Sequence, residues 1–162
     1  MTGLAPLVAP GARVLVLGSF PSAASLAAGQ YYAHKQNAFW LLMGVLFAAG
    51  IDLPYAERVA RLHAHGIAVW DVLGHCRRAG SLDANIERSS EQPNDFARLF
   101  VAQPQLRRIA LNGKKAAECL ARHAAATVPA HCSVRLLPST SAANATWSFD
   151  RKLRAWRAAL LG

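Results

Sequence analysis

Four short apolar runs punctuate the chain: Val14 to Leu17, Ile67 to Val72, Ile109 to Leu111 and Val134 to Leu137. They are continuous rather than alternating and contain β-branched residues, the pattern of strands buried on both faces. Between them, Phe39 to Ala49, Tyr55 to His65, Asp95 to Ala102 and Lys115 to Ala125 carry Leu, Ala and Arg at helical spacing, and a closing helix is predicted over Trp147 to Leu161. Asn94 stands where the N-cap of the third helix would fall. Strands that alternate with helices imply βαβ units, hence an α/β fold of three layers, α/β/α, around a four-stranded, mostly parallel sheet. There is no internal repeat or low-complexity linker, and the polar stretch Gly74 to Pro93 is long enough to be a functional loop.

At 162 residues and 53% hydrophobic content, the chain can bury a substantial core, and residues 1 to 162 are expected to form one domain. Met1 to Pro10 has neither the charged start of a signal peptide nor the apolar length of a membrane span, so a soluble, cytoplasmic protein is expected. Cys76, Cys119 and Cys132 are widely spaced and odd in number, which argues against a disulfide framework or a metal site and for small buried hydrophobes. No cofactor is implied.

Charge is unevenly distributed. Residues 1 to 97 hold seven Lys/Arg and seven Asp/Glu, whereas residues 98 to 162 hold eleven Lys/Arg against Glu118 and Asp150, so the whole net charge of +9 belongs to the later segment. The sequence pI of 10.3 exceeds the value of about 9 that marks many nucleic-acid-binding domains. A local basic region of this kind gains from counterion release on a phosphate backbone. It is equally compatible with a solvated Arg-rich surface.

In open parallel sheets, ligands bind beyond the carboxyl ends of the strands. Those ends read Gly18-Ser19-Phe20-Pro21-Ser22, then Trp70-Asp71, then Asn112-Gly113-Lys114, then Pro138-Ser139-Thr140-Ser141-Ala142-Ala143-Asn144. All four are rich in small or hydrogen-bonding residues, as one shared crevice requires. Pro138, Ser139, Thr140, Ser141 and Asn144 can offer N–H and side-chain donors to a phosphate, with Arg151, Lys152, Arg154 and Arg157 following on the last helix and Leu153, Trp156, Leu160 and Leu161 as its buried stripe. A capped amphipathic helix with a solvated basic face is the plainer alternative. Lys114 is a further candidate contact to a phosphate backbone.

Residues 18 to 40 are the most distinctive stretch, because a buried strand ends in Gly-Ser-x-Pro and then gathers aromatic and amide side chains suited to a flat, polar ring. Phe20, beside the tight turn, is the preferred stacking residue; Tyr31, Tyr32, Phe39 and Trp40 are further wall candidates, although Phe39 and Trp40 also suit the core at a helix start. Asn37 can orient a water, bind a ring or cap the helix after it. His34 can donate to a ring or a phosphate, and Asp71 can bind a ring, anchor the pocket or be solvated.

Gly18-Ser19-Phe20-Pro21-Ser22, Ser25-Leu26 and Tyr31-Tyr32-Ala33-His34-x-Gln36-Asn37-Ala38-Phe39-Trp40 together resemble the first motif of the hypoxanthine-DNA glycosylase branch of the uracil-DNA glycosylase superfamily. Gly66 to Leu73 with Gly80-Ser81-Leu82-Asp83 resembles that branch's middle segment, and Leu137-Pro138-Ser139-Thr140-Ser141-x-x-Asn144 its second motif. The resemblance implies a DNA substrate containing deaminated bases and hydrolysis of the N-glycosidic bond, and it associates the first-motif amide, here Asn37, with catalysis. Taken with the strand-end residues above, the candidate set is Asn37 and Ser19 for catalysis, Gly18, Phe20, Pro21, Tyr32, His34 and Asp71 for base binding, and Lys114, Pro138, Ser139, Thr140, Ser141, Asn144 and Arg151 for DNA binding, in a metal-independent monomer expected to associate with the nucleoid. Two positions depart from the pattern: Leu137 stands where better-known superfamily members carry His or Asn, and Lys35 where related sequences commonly carry Pro. An amine at position 35 could in principle attack the sugar and form a Schiff base. The competing classes are a non-catalytic, basic α/β nucleic-acid-binding module and a small-nucleoside hydrolase, the latter disfavoured by the absence of GxxxxGK[ST] and GxGxxG.

Overall fold

The buried run Val14–Gly18 forms strand β1 at the centre of the sheet, with every residue withdrawn from solvent. The computed structural model describes residues 1 to 162. β1 is followed by helices α1 (Ala23–Ala28), α2 (Phe39–Phe47) and α3 (Tyr55–Ala64), then β2 (Ile67–Asp71). A small hairpin of β3 (Leu73–His75) and β4 (Gln92–Pro93) encloses the polar stretch after β2, and α4 (Phe96–Ala102) leads to β5 (Arg108–Asn112). α5 (Lys114–His123), β6 (Ser133–Leu137) and α6 (Phe149–Leu161) complete the chain.

The main sheet has the order β2-β1-β5-β6 and is parallel throughout. Right-handed crossovers then put α1, α2, α3 and α6 on one face and α4 and α5 on the other; α2 accordingly packs against both α3 and α6, and α5 against β5 and β1. The three-layer α/β/α fold matches the architecture expected from the sequence. Register aligns Gly18 with Asp71 and Asn112 with Leu137, so the four carboxyl ends share one edge of the sheet.

Phe39 and Trp40 belong to the core: Phe39 is fully buried and meets the Trp40 and Trp156 rings edge-on at centroid distances of 4.9 and 6.1 Å. Trp156 is also fully buried, and its Nε1 donates to the Pro138 carbonyl at 3.0 Å. α6 is thereby fastened to the segment that follows β6.

Several local expectations are corrected. Asp95, not Asn94, caps α4, its Oδ1 accepting from Arg98 N at 3.1 Å. Asn94 instead donates from Nδ2 to Asp71 O at 2.8 Å, bracing the end of β2. β6 is an edge strand with Val134 and Leu136 exposed, because nothing pairs with its outer side. α6 begins at Phe149, capped by Ser148; Trp156 and Leu160 are buried as expected, whereas Leu153 is half-buried, Leu161 is exposed, and Lys152 and Ala159 complete the buried stripe. α1 and the β3/β4 hairpin carry too little periodicity to be predicted, and α1 is fixed by its ends: Ser22 Oγ accepts from Ser25 N at 3.1 Å, and Gly29 closes it at a φ of 64°.

Candidate active site

A cavity of about 1060 Å³ opens at the carboxyl edge of the sheet. Gly18, Ser19, Phe20 and Pro21 line it after β1, His34 and Asn37 from the loop before α2, and Asp71 at the end of β2. Pro138, Ser139, Thr140, Ser141 and Asn144 line it after β6, with Tyr32 and Lys114. The expected residues therefore converge on one site, except Arg151. That guanidinium lies outside the wall and stacks over Trp147, 4.1 Å from its ring centroid, while Trp147 itself faces the cavity. Lys35 is exposed and does not line it.

Two strand ends and the start of α2 are locked together. Asn112 Nδ2 donates to Thr140 Oγ1 at 2.9 Å, Thr140 N donates to Asn112 Oδ1 at 2.9 Å, and Thr140 O accepts from Ala38 N at 2.9 Å. Asn112 and Thr140 are both buried, so these bonds have no water competing for them. The chain of contacts ends beside Asn37, whose Oδ1 accepts from Phe39 N at 2.9 Å in a turn at the start of α2. With one lone pair of its oxygen engaged, Asn37 keeps the second lone pair and the Nδ2 donor for a ligand.

The floor is made by Gly18, Asp71 and Tyr32. A Cβ on Gly18 would lie 2.4 Å from Asp71 Oδ1 and 3.1 Å from Tyr32 Oη, so glycine is required for their approach. Tyr32 itself has a φ of 54°, a left-handed conformation uncommon for a tyrosine, and its ring lies 4.1 Å from Phe39. Tyr32 Oη and Asp71 Oδ2 are buried with no hydrogen-bond partner. Burial, and then the nearby Asp83 carboxylate, raise the Asp71 carboxyl to about 7 against the lowering effect of Arg78. Burial and the Asp71 charge push the Tyr32 phenol up as well, so it remains a neutral hydroxyl.

Arg78 and Trp147 lie outside the residues singled out in the sequence, whereas Asp83 and Asn112 stand in the quoted middle segment and at a strand end without an assigned role. Buried Arg78 donates from Nη2 to Pro21 O at 2.7 Å and from Nε to Gly80 O at 2.8 Å, and its guanidinium sits 5.3 Å from the Phe20 ring centroid. It welds the turn after β1 to the polar stretch after β3. Asp83 accepts from Ser19 Oγ at 2.6 Å. The Gly80-Ser81-Leu82-Asp83 segment of the resemblance, within the polar stretch, points to Asp83 without giving it a role; nothing in the local sequence marks Arg78 as a buried brace.

The second motif is largely self-bonded. Ser139 Oγ accepts from Ser141 N at 3.1 Å, Ser141 Oγ accepts from Ala143 N at 3.2 Å, and Asn144 Nδ2 donates to Ser139 O at 3.1 Å. The two hydroxyl hydrogens stay free to point outward. The basic excess is partly structural: Lys115, Arg122 and His123 all contact buried Glu91, and Arg108 holds the carbonyls of Ala159 and Gly162. Burial would raise Glu91, but its bonds to Lys115, His123 and Arg122 prevail and hold it at about 2. Buried Cys119, pushed up to about 12 by desolvation, is an inert neighbour of this cluster. No helix is long and apolar enough to cross a membrane, and no group of three or more His, Cys, Asp or Glu side chains is placed to hold a metal ion.

A parallel four-stranded sheet with a crevice at its carboxyl edge, walled by an aromatic turn and a Pro-Ser-Thr-Ser loop, defines a three-layer α/β protein with its candidate site at the switch edge of the sheet. The family model of the uracil DNA glycosylase superfamily matches residues 5 to 160, and the chain belongs to that superfamily. It is 35% identical over 141 residues to a protein of Methanosarcina acetivorans named hypoxanthine DNA glycosylase, covering 86% of this chain and 85% of that one. A Methanosarcina barkeri protein of the same name is 33% identical over 117 residues, 72% of this chain and 73% of its own. The solution NMR structure of a Methanosarcina acetivorans protein, described as a candidate uracil DNA glycosylase, superposes with a TM-score of 0.82 at 32% identity, covering 98% of this chain and 95% of that one.

Proposed function

We propose that residues 1 to 162 act as one monomeric DNA glycosylase that flips a deaminated base out of DNA and hydrolyses its N-glycosidic bond, leaving an abasic site. Hypoxanthine is the favoured base and uracil the second. The observation that carries the proposal is the single cavity in which the first motif, Asp71 and the second motif meet.

An extruded base enters such a cavity edge first and stacks on Phe20, whose ring is backed by the Arg78 guanidinium. Asp71 and Tyr32, the two groups at the floor without protein partners, read its polar edge. Cleavage develops negative charge on the departing base and positive charge on the sugar. The Asn37 Nδ2 donor, held by its locked oxygen, stabilises the base as it leaves. Pro21 and Gly18 shape the turn, and His34 at the mouth contacts the sugar-phosphate next to the flipped base. Lys114, Ser139, Ser141, Asn144 and the Arg151-backed Trp147 hold the flanking backbone.

The test is a panel of duplexes carrying one hypoxanthine, uracil, xanthine or mismatched thymine, scored for alkali-labile abasic sites. Release of hypoxanthine ahead of the others supports the proposal. Folded protein that yields no abasic site on any duplex overturns it, and salt-sensitive binding indifferent to the lesion would then favour a non-catalytic binding module.

A further inference from the structure

Hydrolysis needs a water at the sugar carbon, and Asn37, an amide whose oxygen already accepts from Phe39 N, is not a base that can take its proton. Three carboxylates line the cavity, Asp71, Asp83 and Glu118. They differ in depth and in what holds them. Asp71 sits at the floor beneath Gly18, 5% exposed, where an entering base arrives first. Glu118 is on the exposed side of α5, and no hydrogen bond holds its side chain. Asp83 alone combines exposure at the rim with a fixed position, because Ser19 Oγ donates to its Oδ1 at 2.6 Å.

Depth decides the assignment. A flipped nucleotide stays tethered to its strand by the sugar, so the base reaches the floor while C1′ remains near the rim. We propose that Asp83 orients and deprotonates the attacking water, and that Ser19 is its positioning residue. The inference rests on the glycosylase reading. Ser19 occupies one lobe of the carboxylate and leaves the other oxygen for water. As the water oxygen bonds to C1′, the C1′–N bond breaks, its electron pair leaves with the base, and the water proton passes to Asp83. The base anion, held by Asn37, takes its proton from solvent, and Asp83 returns its own to solvent. The hairpin of β3 and β4 supports this loop, and Arg78 ties its start at Gly80 to the turn carrying Ser19.

The titratable and charged groups around Asp83 are Arg78, Lys115, Glu118, Asp71, Tyr32 and Cys119, with Ser19 as its hydrogen-bond donor. Its surroundings desolvate it and raise its carboxyl above the usual aspartate range, in spite of the Ser19 hydrogen bond and the Arg78 charge. The rate of a step needing the ionised form should therefore climb with pH through an acidic limb.

Single-turnover rates on a lesion duplex that the wild type cleaves, measured across pH with Asp83→Asn and Ser19→Ala, test the inference. Asp83→Asn should lose at least ~100-fold in rate, keep lesion-duplex affinity and thermal stability, and lose the acidic limb. Ser19→Ala should keep the limb but move it to higher pH, since removal of the donor weakens the ionised form; a merely structural Ser19 would leave it in place. Formate should partly restore Asp83→Ala, which keeps the inference testable should the Asn variant misfold. A loss under about tenfold in Asp83→Asn, or a limb that persists there and so belongs to Asp71, overturns the inference alone. No wild-type turnover on any lesion overturns the glycosylase reading together with it.

Discussion

Asn112 and Thr140 exchange two hydrogen bonds of 2.9 Å across the ends of β5 and β6, side chain to side chain and backbone to side chain. The pair converts two separate strand ends into one wall, and the Thr140 carbonyl extends the wall to Ala38, next to Asn37. Asn112→Ala should cost roughly 1–3 kcal/mol of stability, because it strands the buried Thr140 N–H and hydroxyl. Thr140→Val should cost less, since its backbone N–H keeps its partner. A double-mutant cycle on thermal or denaturant unfolding should return a coupling of about 0.5 kcal/mol or more; additive losses would show that the two residues act independently.

Gly18 makes a second prediction. A methyl there would collide with Asp71 Oδ1 at 2.4 Å and crowd Tyr32 Oη at 3.1 Å. Gly18→Ala should destabilise by about 1–3 kcal/mol, the usual cost of overpacking, and should weaken base release more than DNA binding. Because the first obstacle is the Asp71 carboxylate, Gly18→Ala combined with Asp71→Ala should lose less stability than the two single losses added together. An additive result would place the strain elsewhere.

Much of this site is legible in the sequence, for a physical reason. Gly18, Asp71, Asn112 and Leu137 end the parallel strands, and parallel strands bring their carboxyl ends to one edge whatever their neighbours do. What stayed hidden depends on contacts between distant segments. Arg78 becomes a buried brace only because the Pro21 carbonyl lies beside it, and Asp83 enters the site only through its bond to Ser19. Lys152 joins the buried stripe because the packing of Trp156 sets the rotation of α6, which periodicity fixes only to within a residue. The exposed outer side of β6 was unreadable since an apolar run is the same whether the strand lies at the centre or the edge.

Lys35 gives a prediction about chemistry. Its side chain is exposed outside the cavity wall, away from the place where a sugar carbon would lie. Lys35→Ala should leave the single-turnover rate within about twofold of wild type. Borohydride added during turnover should trap no protein–DNA adduct. A trapped adduct that disappears in Lys35→Ala would reverse this reading and assign strand-cleaving activity to that amine.

Lys114 opens α5 at the rim of the cavity, exposed and free of an acidic partner, whereas neighbouring Lys115 is tied to Glu91 at 2.7 Å. Only the first can neutralise a phosphate without breaking an internal pair. Lys114→Ala should weaken binding to lesion and undamaged duplexes alike and reduce the slope of log affinity against log salt by about one. Lys115→Ala should instead lower thermal stability by loosening Glu91. Equal salt slopes for wild type and Lys114→Ala would remove α5 from the DNA surface.

Asp71 sets the pH dependence of stability. Its folded carboxyl, raised to about 7, lies above the ordinary unfolded value of about 3.9, so the folded state holds the extra proton between those two values. Stability from this group is complete below about pH 4 and falls as pH rises towards 7, by a few kcal/mol at most. Glu91 acts with the opposite sign: held at about 2, it contributes stability above its unfolded range and loses it as pH falls through the acid region. The two windows barely overlap, so unfolding measured from pH 3 to 8 should show a maximum near the lower end of that range. Asp71→Asn, uncharged at every pH, should remove most of the decline between about pH 4 and 7, leaving the smaller part due to Asp83, whose carboxyl is also raised, and should leave the acid-side loss untouched. A decline as steep as that of the wild type in Asp71→Asn would mean that a different group binds the extra proton, and that Asp71 is ionised at the floor of the site.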